Sequence, residues 1–219
     1  PLQVVIGIVE RKQTLPILSN VLMENQDGKI RFTTTDLEIQ ITTTIDTGIR
    51  GGQNTAFTVG GKKFQEILRV LPEQSKITID TKENKAQIKT NKSRFSLQTL
   101  PAQDFPKLSN QLENAKKIVL PQKELKNLLF SVQYAMAQQD VRYYLNGVLL
   151  IIDGNKLKVV ATDGHRLAYN AGAIDGHYEK QEIILPRKAV SELSKLLADS
   201  DESVELEFSQ QQVKVTFSG

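Results

Sequence analysis

The chain has 219 residues, of which 39% are hydrophobic and 24% are charged, and its formal net charge is +3. It contains no cysteine, which excludes disulfide bonds, a thiolate nucleophile and a cysteine metal site and fits a cytoplasmic location. No run of about 18 apolar residues occurs, so no membrane-spanning helix is expected, and the segment 1–5 does not resemble a signal peptide.

One sequence pattern occurs twice. Residues 19–23 and 30–38 match residues 146–150 and 157–165 without a gap, at an offset of 127 (148 − 21 and 162 − 35). A repeat of this length exceeds the periods of about 20–50 residues found in solenoids and has the size of a domain. The sequence therefore predicts two related domains, 1–108 and 109–219, joined by the polar segment 107–116.

The first copy is expected to begin inside a helix. Leu2, Val5 and Val9 take the places of core positions in the helix predicted for the second copy, so the first copy should lack its initial strand. Two strands then flank the turn pair Asp27-Gly28, which favours a hairpin. The later elements predicted for this copy are a strand over 37–45, a helix over 62–71, and strands over 77–79, 86–90 and 94–97.

The second copy repeats this order. Pro121 opens a helix with apolar residues at helical spacing, and Asp153–Asn155 should form a second hairpin turn. The other elements predicted are strands over 117–120, 148–152 and 157–161, a helix over 187–197, and strands over 204–208 and 213–217. Each copy thus indicates an α+β domain, internally duplicated, with two helices packed on antiparallel sheets. The second copy ends before the counterpart of its last strand.

The four helical segments, 1–12, 60–71, 121–136 and 186–198, are basic. They contain ten basic and four acidic residues, a net of +6, so the rest of the chain carries −3 of the total of +3. Lysine is a good helix former, and a basic outer face is one ordinary explanation. The functional explanation is a surface that meets phosphate groups without reading bases.

An enzyme is not favoured. The best catalytic candidate is the pair Asp163 and His165, which would make the chain a phosphodiester hydrolase. The competing interpretation is a side-chain-to-backbone turn at a strand end, and it is favoured because the first copy keeps Thr35-Asp36 without a histidine. No metal-ligand spacing and no phosphate-binding glycine loop occurs, so no cofactor is predicted.

Two short segments of the second copy suggest a binding groove. Residues 142–145 and 164–167 combine tyrosines, leucines and arginines, which suit an apolar peptide with a polar rim. Ordinary core and surface positions are the alternative on this pattern alone.

Several longer motifs resemble one family, the bacterial DNA sliding clamps, which are beta subunits of the replicative DNA polymerase III. The motifs are residues 14–20, 35–38, 93–97, 104–106, 139–147 and 161–168. The resemblance covers the whole chain. It implies a non-catalytic DNA-clamp fold with three domains per subunit, of which the third is absent here, and a ring of two subunits around double-stranded DNA. It also implies that the replicative polymerase, the clamp loader and repair polymerases dock by hydrophobic motifs.

The resemblance assigns roles to individual residues. Sequence-independent DNA contacts are implied for Lys12, Gln139 and Tyr143, and the basic helices add Lys62, Lys63, Arg69, Arg187 and Lys188. The peptide pocket is implied for Arg142, Tyr144, Leu145, Thr162, Gly164, His165, Arg166 and Leu167. The subunit interface of the homodimer is implied for the strand Arg94, Phe95, Ser96 and Leu97. Lys12 stands where the family often has arginine, which keeps the attraction to phosphate but loses the planar fork.

Overall fold

A computed structural model describes residues 1–9, 15–48, 54–109, 112, 114–209 and 211–218. The chain divides into two compact units, Pro1–Leu108 and Ser109–Gly219.

The first unit contains two helices and one antiparallel sheet. Its elements are α1 Leu2–Val5, β1 Asn20–Gln26, β2 Lys29–Thr35, β3 Gln40–Asp46, β4 Thr55–Gly60, α2 Gly61–Val70, β5 Thr78–Lys82, β6 Lys85–Lys89 and β7 Arg94–Leu100. The sheet has the order β3-β2-β1-β4-β7-β6-β5. Its main core joins α2, through Phe64 and Ile67, to Val21 and Met23 of β1.

A smaller cluster lies on the opposite face of β1. Leu22 points away from the main core, since its neighbours along the strand point into it, and it packs with Ile17 and Phe105. The segment that carries Phe105 is also tied to the sheet by polar contacts. Lys107 Nζ lies 2.6 Å from Glu24 Oε1, and the backbone N–H of Leu108 donates to Gln40 Oε1 at 2.9 Å.

The second unit repeats the architecture with longer strands. Its elements are β8 Lys116–Pro121, α3 Gln122–Val132, β9 Gly147–Thr162, β10 Leu167–Pro186, α4 Arg187–Leu196, β11 Ser203–Phe208 and β12 Val213–Phe217. β11 pairs with β8 and β12, while β9 and β10 pair over two separate stretches. The core lies between α3, α4 and the inward residues of these strands, including Leu129, Val148 and Phe208.

The second predicted hairpin lies within the residues of β9. Even so, Lys158 Nζ lies 2.6 Å from Asp153 Oδ2. Five residues of a straight strand would span about 16 Å, so the chain must reverse between the two side chains. Gly154 in this stretch has a φ of +61°, which suits a turn.

The internal repeat holds in three dimensions. In the first unit α1 ends at Val5 and a 3-10 turn follows at 6–8, while in the second α3 ends at Val132 and a 3-10 turn follows at 133–135. Strand pairing follows the same offset, because Thr35 pairs with Gln40 and Thr162 pairs with Leu167. After the third strand the offset falls to 126, from Gly61 to Arg187.

The sequence prediction has the wrong start for one strand, and it did not include β4 or β10. The strand predicted over 37–45 begins only at Gln40, because Leu37 has a φ of +81° and belongs to a turn. On the strand predicted over 94–97, Leu97 is 7% exposed and its side chain lies in the main core of the first unit. Alternation along β7 leaves Arg94 and Ser96 on the outer side.

Candidate functional site

The candidate site is built on a tight turn between β9 and β10. Thr162 Oγ1 donates to the carbonyl of Arg166 at 2.7 Å and accepts from the N–H of Gly164 at 3.1 Å. Asp163 Oδ1 accepts from the N–H groups of His165 and Arg166, both at 3.0 Å. The short polar side chains therefore fix the backbone, and the residues between them are presented to solvent.

The first unit has the same turn, but the turn carries different side chains. Thr35 Oγ1 donates to the carbonyl of Ile39 at 2.8 Å, and Asp36 Oδ1 accepts from the N–H groups of Glu38 and Ile39 at 3.2 and 2.9 Å. Leu37 has a φ of +81° where Gly164 has +88°. The predicted turn is therefore present in both copies.

The carboxylate of Asp163 is occupied by the turn itself. Backbone hydrogen bonds from His165 and then Arg166 lower its pKa, and Asp163 Oδ2 accepts from Arg166 Nε at 3.0 Å. Its hydrogen bonds run to the backbone and to a guanidinium, which is a structural arrangement and gives the hydrolase alternative no support. Within the part of the chain that the structure describes, no cluster of three or more histidine or acidic residues could hold a metal.

Arg142 lies against this turn. A Cβ on Gly164 would lie 3.3 Å from Arg142 Nη2, so the glycine lets the guanidinium approach closely. Arg142 is held by Asp140, to which Nε and Nη2 donate at 3.0 and 2.9 Å. The side-chain hydrogen bond from Arg142 is the main reason why the pKa of Asp140 falls to about 2. The structure thus brings together two segments that sequence reasoning assigned to one groove.

The apolar members of the predicted groove differ in accessibility. Leu145 is 8% exposed, so it lies beneath the surface. Leu167 and Tyr144 are 65% and 51% exposed, and the ring of Tyr144 meets that of Tyr143 edge-on, with centroids 5.9 Å apart. Leu167 and Tyr144 are accessible to a ligand.

Sequence reasoning missed Tyr134 and Asp140. The guanidinium of Arg166 lies 5.7 Å from the ring centroid of Tyr134, within the range of a cation–π contact. Tyr134 and Asp140 line the same shallow depression as Asp163, His165 and Arg166. An exposed aromatic residue at the end of a helical pattern was the only available signal for Tyr134, and Asp140 was visible as a carboxylate two residues before an arginine.

The segment that carries Gln139 and Tyr143 is fastened at its base. The side chain of Asn146 accepts from the N–H of Asp140 at 2.9 Å and donates to its carbonyl at 2.8 Å. Arg187 Nη1 donates to the carbonyls of Met136 and Ala137 at 3.2 and 3.3 Å. We name residues 137–146 the base-held loop. Tyr143, at its tip, is 81% exposed.

The basic residues of the helices fall into two groups. On α2, Lys63 and Arg69 are exposed and Lys62 is half-buried, while Phe64 and Ile67 are buried. On α3 and α4, Lys123 is 2.6 Å from Asp201 and Lys195 is 2.7 Å from Glu192. Salt bridges reduce the charge that these two lysines offer to phosphate.

Two further residues of the predicted DNA surface, Lys188 and Lys12, differ in what the structure describes of them. Lys188 is half-buried on α4, next to Arg187. Lys12 lies outside the residues that the structure describes. Among the described helices, none is long and apolar enough to cross a membrane.

The fold and the site define a class: a chain of two related α+β domains. The same turn at a strand end occurs in both domains, but only in the second does it carry the residues of the candidate site. Residues 1–109 match the family description "DNA polymerase III beta subunit, N-terminal domain", and residues 119–219 match "DNA polymerase III beta subunit, central domain". The chain belongs to the beta sliding clamp family of DNA polymerase III.

Individual relatives agree with this assignment. The chain is 37% identical to the beta sliding clamp of Haemophilus influenzae over 98% of its own length, and 40% identical to that of Vibrio cholerae over 94%. A crystal structure of the sliding clamp from Pseudomonas aeruginosa superposes with a TM-score of 0.92 at 39% identity and covers 99% of this chain. The chain spans only 58% of the length of the Haemophilus relative and 58% of that crystal structure.

Proposed function

We propose that the chain is the first two domains of a three-domain clamp subunit that closes with a second subunit around double-stranded DNA. In this proposal the ring catalyses nothing and acts in the cytoplasm as a sliding tether for the replicative polymerase. The observation that carries it is the double match to N-terminal and central clamp domains over almost the whole chain.

DNA contacts are proposed for the basic face of α2 and for the base-held loop. Lys63 and Arg69 of α2 are exposed and Lys62 is half-buried, and Gln139 and Tyr143 are exposed on the loop. A ring that holds DNA by topology needs only weak phosphate contacts without base readout. Lys12 and Lys188 remain part of this proposal, while Arg187 supports the loop through its two carbonyl partners.

Peptide docking is proposed for the turn and its neighbours. Tyr144 and Leu167 supply exposed apolar surface, while Thr162, Gly164 and His165 belong to the fixed turn. Arg142 and Arg166 are each oriented by a carboxylate and form a polar rim. Leu145 supports the site from below. This arrangement suits the short hydrophobic motifs of a polymerase, a clamp loader or a repair polymerase.

The subunit interface is proposed for β7. The strand pairs with β6 along Arg94–Gln98, but β4 pairs with it only at Thr99 and Leu100 among the described residues. One side of Arg94, Phe95, Ser96 and Leu97 is therefore open to a strand from another subunit. Leu97 contributes from the core side, so a test of this edge should leave it unchanged.

The test of the docking proposal is fluorescence anisotropy with a labelled peptide that carries two spaced leucine or phenylalanine anchors. The complete subunit should bind it clearly, and the 219-residue chain barely, because part of the pocket would belong to the third domain. Losing half the burial of two anchors costs about 2 kcal/mol, which is more than tenfold in Kd. Equal affinities would show that the second domain alone forms the site.

A further inference from the structure

One pair of equivalent leucines differs in burial between the two units. In the first unit Leu22 faces away from the main core and is 0% exposed, covered by Ile17 and Phe105. The offset of 127 places Leu149 at the same position of the second unit. Leu149 is only half-buried, and it is not part of the core cluster there.

The surroundings of Leu149 are also apolar. Strand pairing sets Ile184 beside Leu149, and Tyr169 beside Val160. The repeat sets Val160 beside Leu149, as Thr33 is paired with Leu22. We name Ile184, Leu149, Val160 and Tyr169 the outer row; its two end residues are 38% and 58% exposed.

The first unit has hydroxyl groups at these positions. Leu22 is flanked there by Thr33 and Thr58, and Thr42 completes the row. Leu22, which is covered, thus has more polar neighbours than Leu149, which is not covered in the second unit.

Charged pairs bound the outer row on one side. Lys158 is 2.6 Å from Asp153, and Lys180 is 3.0 Å from Glu182. An exposed apolar patch with a polar rim is typical of a surface that another segment covers.

The segment that covers Leu22 in the first unit shows what kind of segment could cover Leu149. It is the segment Pro101–Leu108, which follows β7 directly, contains a 3-10 turn at Ala102–Asp104 and inserts Phe105 against Leu22. Its far end is fixed by the contacts of Lys107 with Glu24 and of Leu108 with Gln40. At the offset of 127, Tyr144 is the counterpart of Ile17, which packs beside Phe105 in the first unit. A large apolar side chain could therefore pack against Leu149 beside Tyr144 in the same way.

We propose that the outer row is the seat of a further segment of the same polypeptide, which follows the second unit as Pro101–Leu108 follows the first. This segment inserts one large apolar side chain against Leu149, beside Tyr144. The first unit makes the corresponding contact within its own chain, which favours this source over a second copy or a partner protein. The relatives contain polypeptide for it, since this chain spans 58% of the Haemophilus protein. The inference concerns packing and does not depend on binding of DNA or peptide.

The test uses the absence of natural cysteine. Leu149→Cys is introduced into the 219-residue chain and into the complete subunit, the latter freed of any further cysteine, and the rate of alkylation by iodoacetamide is measured. The thiol should react readily in the 219-residue chain and at least about tenfold more slowly in the complete subunit, because reaction then requires local opening. Val160→Cys should behave in the same way, and it keeps the test valid if the first variant folds poorly.

A matched control exists in the first unit. Leu22→Cys should be protected in both lengths of chain, and Phe105→Ala should release it. Equal alkylation of Leu149→Cys in both lengths would overturn the proposal. Protection that depends on protein concentration would assign the cover to a second copy, and protection only with an added partner protein would assign it to that partner; either result would also overturn it.

Discussion

Arg187 is a basic residue next to the proposed DNA surface, and a substitution there can show whether it contacts DNA or stabilises the base-held loop. Its Nη1 donates to the carbonyls of Met136 and Ala137 at 3.2 and 3.3 Å. Arg187→Met removes both bonds, and two long bonds from a half-exposed cation to carbonyls are together worth about 2 kcal/mol. The backbone bond from Arg187 N–H to the carbonyl of Asn146, at 2.9 Å, remains. The loss should therefore be local to the base-held loop.

The assay is native-state hydrogen exchange at the amide of Ala137, which donates to the carbonyl of Leu145 at 3.0 Å. A loss of about 2 kcal/mol should reduce its protection roughly 30-fold. Arg187→Lys keeps the charge without the planar fork and should restore protection only in part. The salt dependence of duplex DNA binding should keep its slope in Arg187→Met. Unchanged exchange together with a slope reduced by about 0.9 would show a direct phosphate contact and refute the reasoning.

Three further predictions follow from the same geometry. Lys62→Ala should weaken binding to any duplex and reduce the salt slope by about 0.9, measured by anisotropy over a salt series; an unchanged slope would remove α2 from the DNA surface. Leu167→Asp should change the free energy of unfolding by less than about 0.5 kcal/mol, because the side chain is exposed, yet it should abolish peptide binding by the complete subunit; unchanged binding would misplace the pocket. The pKa of Asp140 is about 2, below the unfolded value of about 3.9, so its contribution is present above pH 3.9 and is lost as the pH falls towards 2. The Nε signal of Arg142 should accordingly stay constant from neutral pH down to about pH 4, and a midpoint near 4 would contradict the Asp140 contact.

Much of the architecture could be predicted because periodicity and repetition are local properties of the sequence. The helices predicted over 62–71 and 187–197 are observed as α2 and α4 within one residue at each end. The repeat supplied an independent check, since each element in one copy could be compared with its counterpart. The Thr-Asp turn was predicted for the same reason and is present in both units.

One error arose from a local turn, and the other features that the sequence did not reveal depend on tertiary contacts. Leu37 continued an alternating pattern, but the hydrogen bonds of Thr35 and Asp36 hold it in a left-handed conformation. The sequence pattern of 94–97 did not show which side chains face the core, and the packing of the first unit shows that Leu97 does. Charge counting could not reveal that Arg187 donates to two carbonyls of the base-held loop. The distinct roles of Leu22 and Leu149 were likewise invisible, because both read as apolar strand residues.

We propose that this chain belongs to a ring that holds DNA by topology. The most direct measurement is retention of the complete subunit on nicked circular DNA in gel filtration at raised salt, repeated after the circle is cut once. We expect retention on the circle, loss on the linear form, and no retention of the 219-residue chain on either. Equal retention of the complete subunit on circular and linear DNA would contradict it.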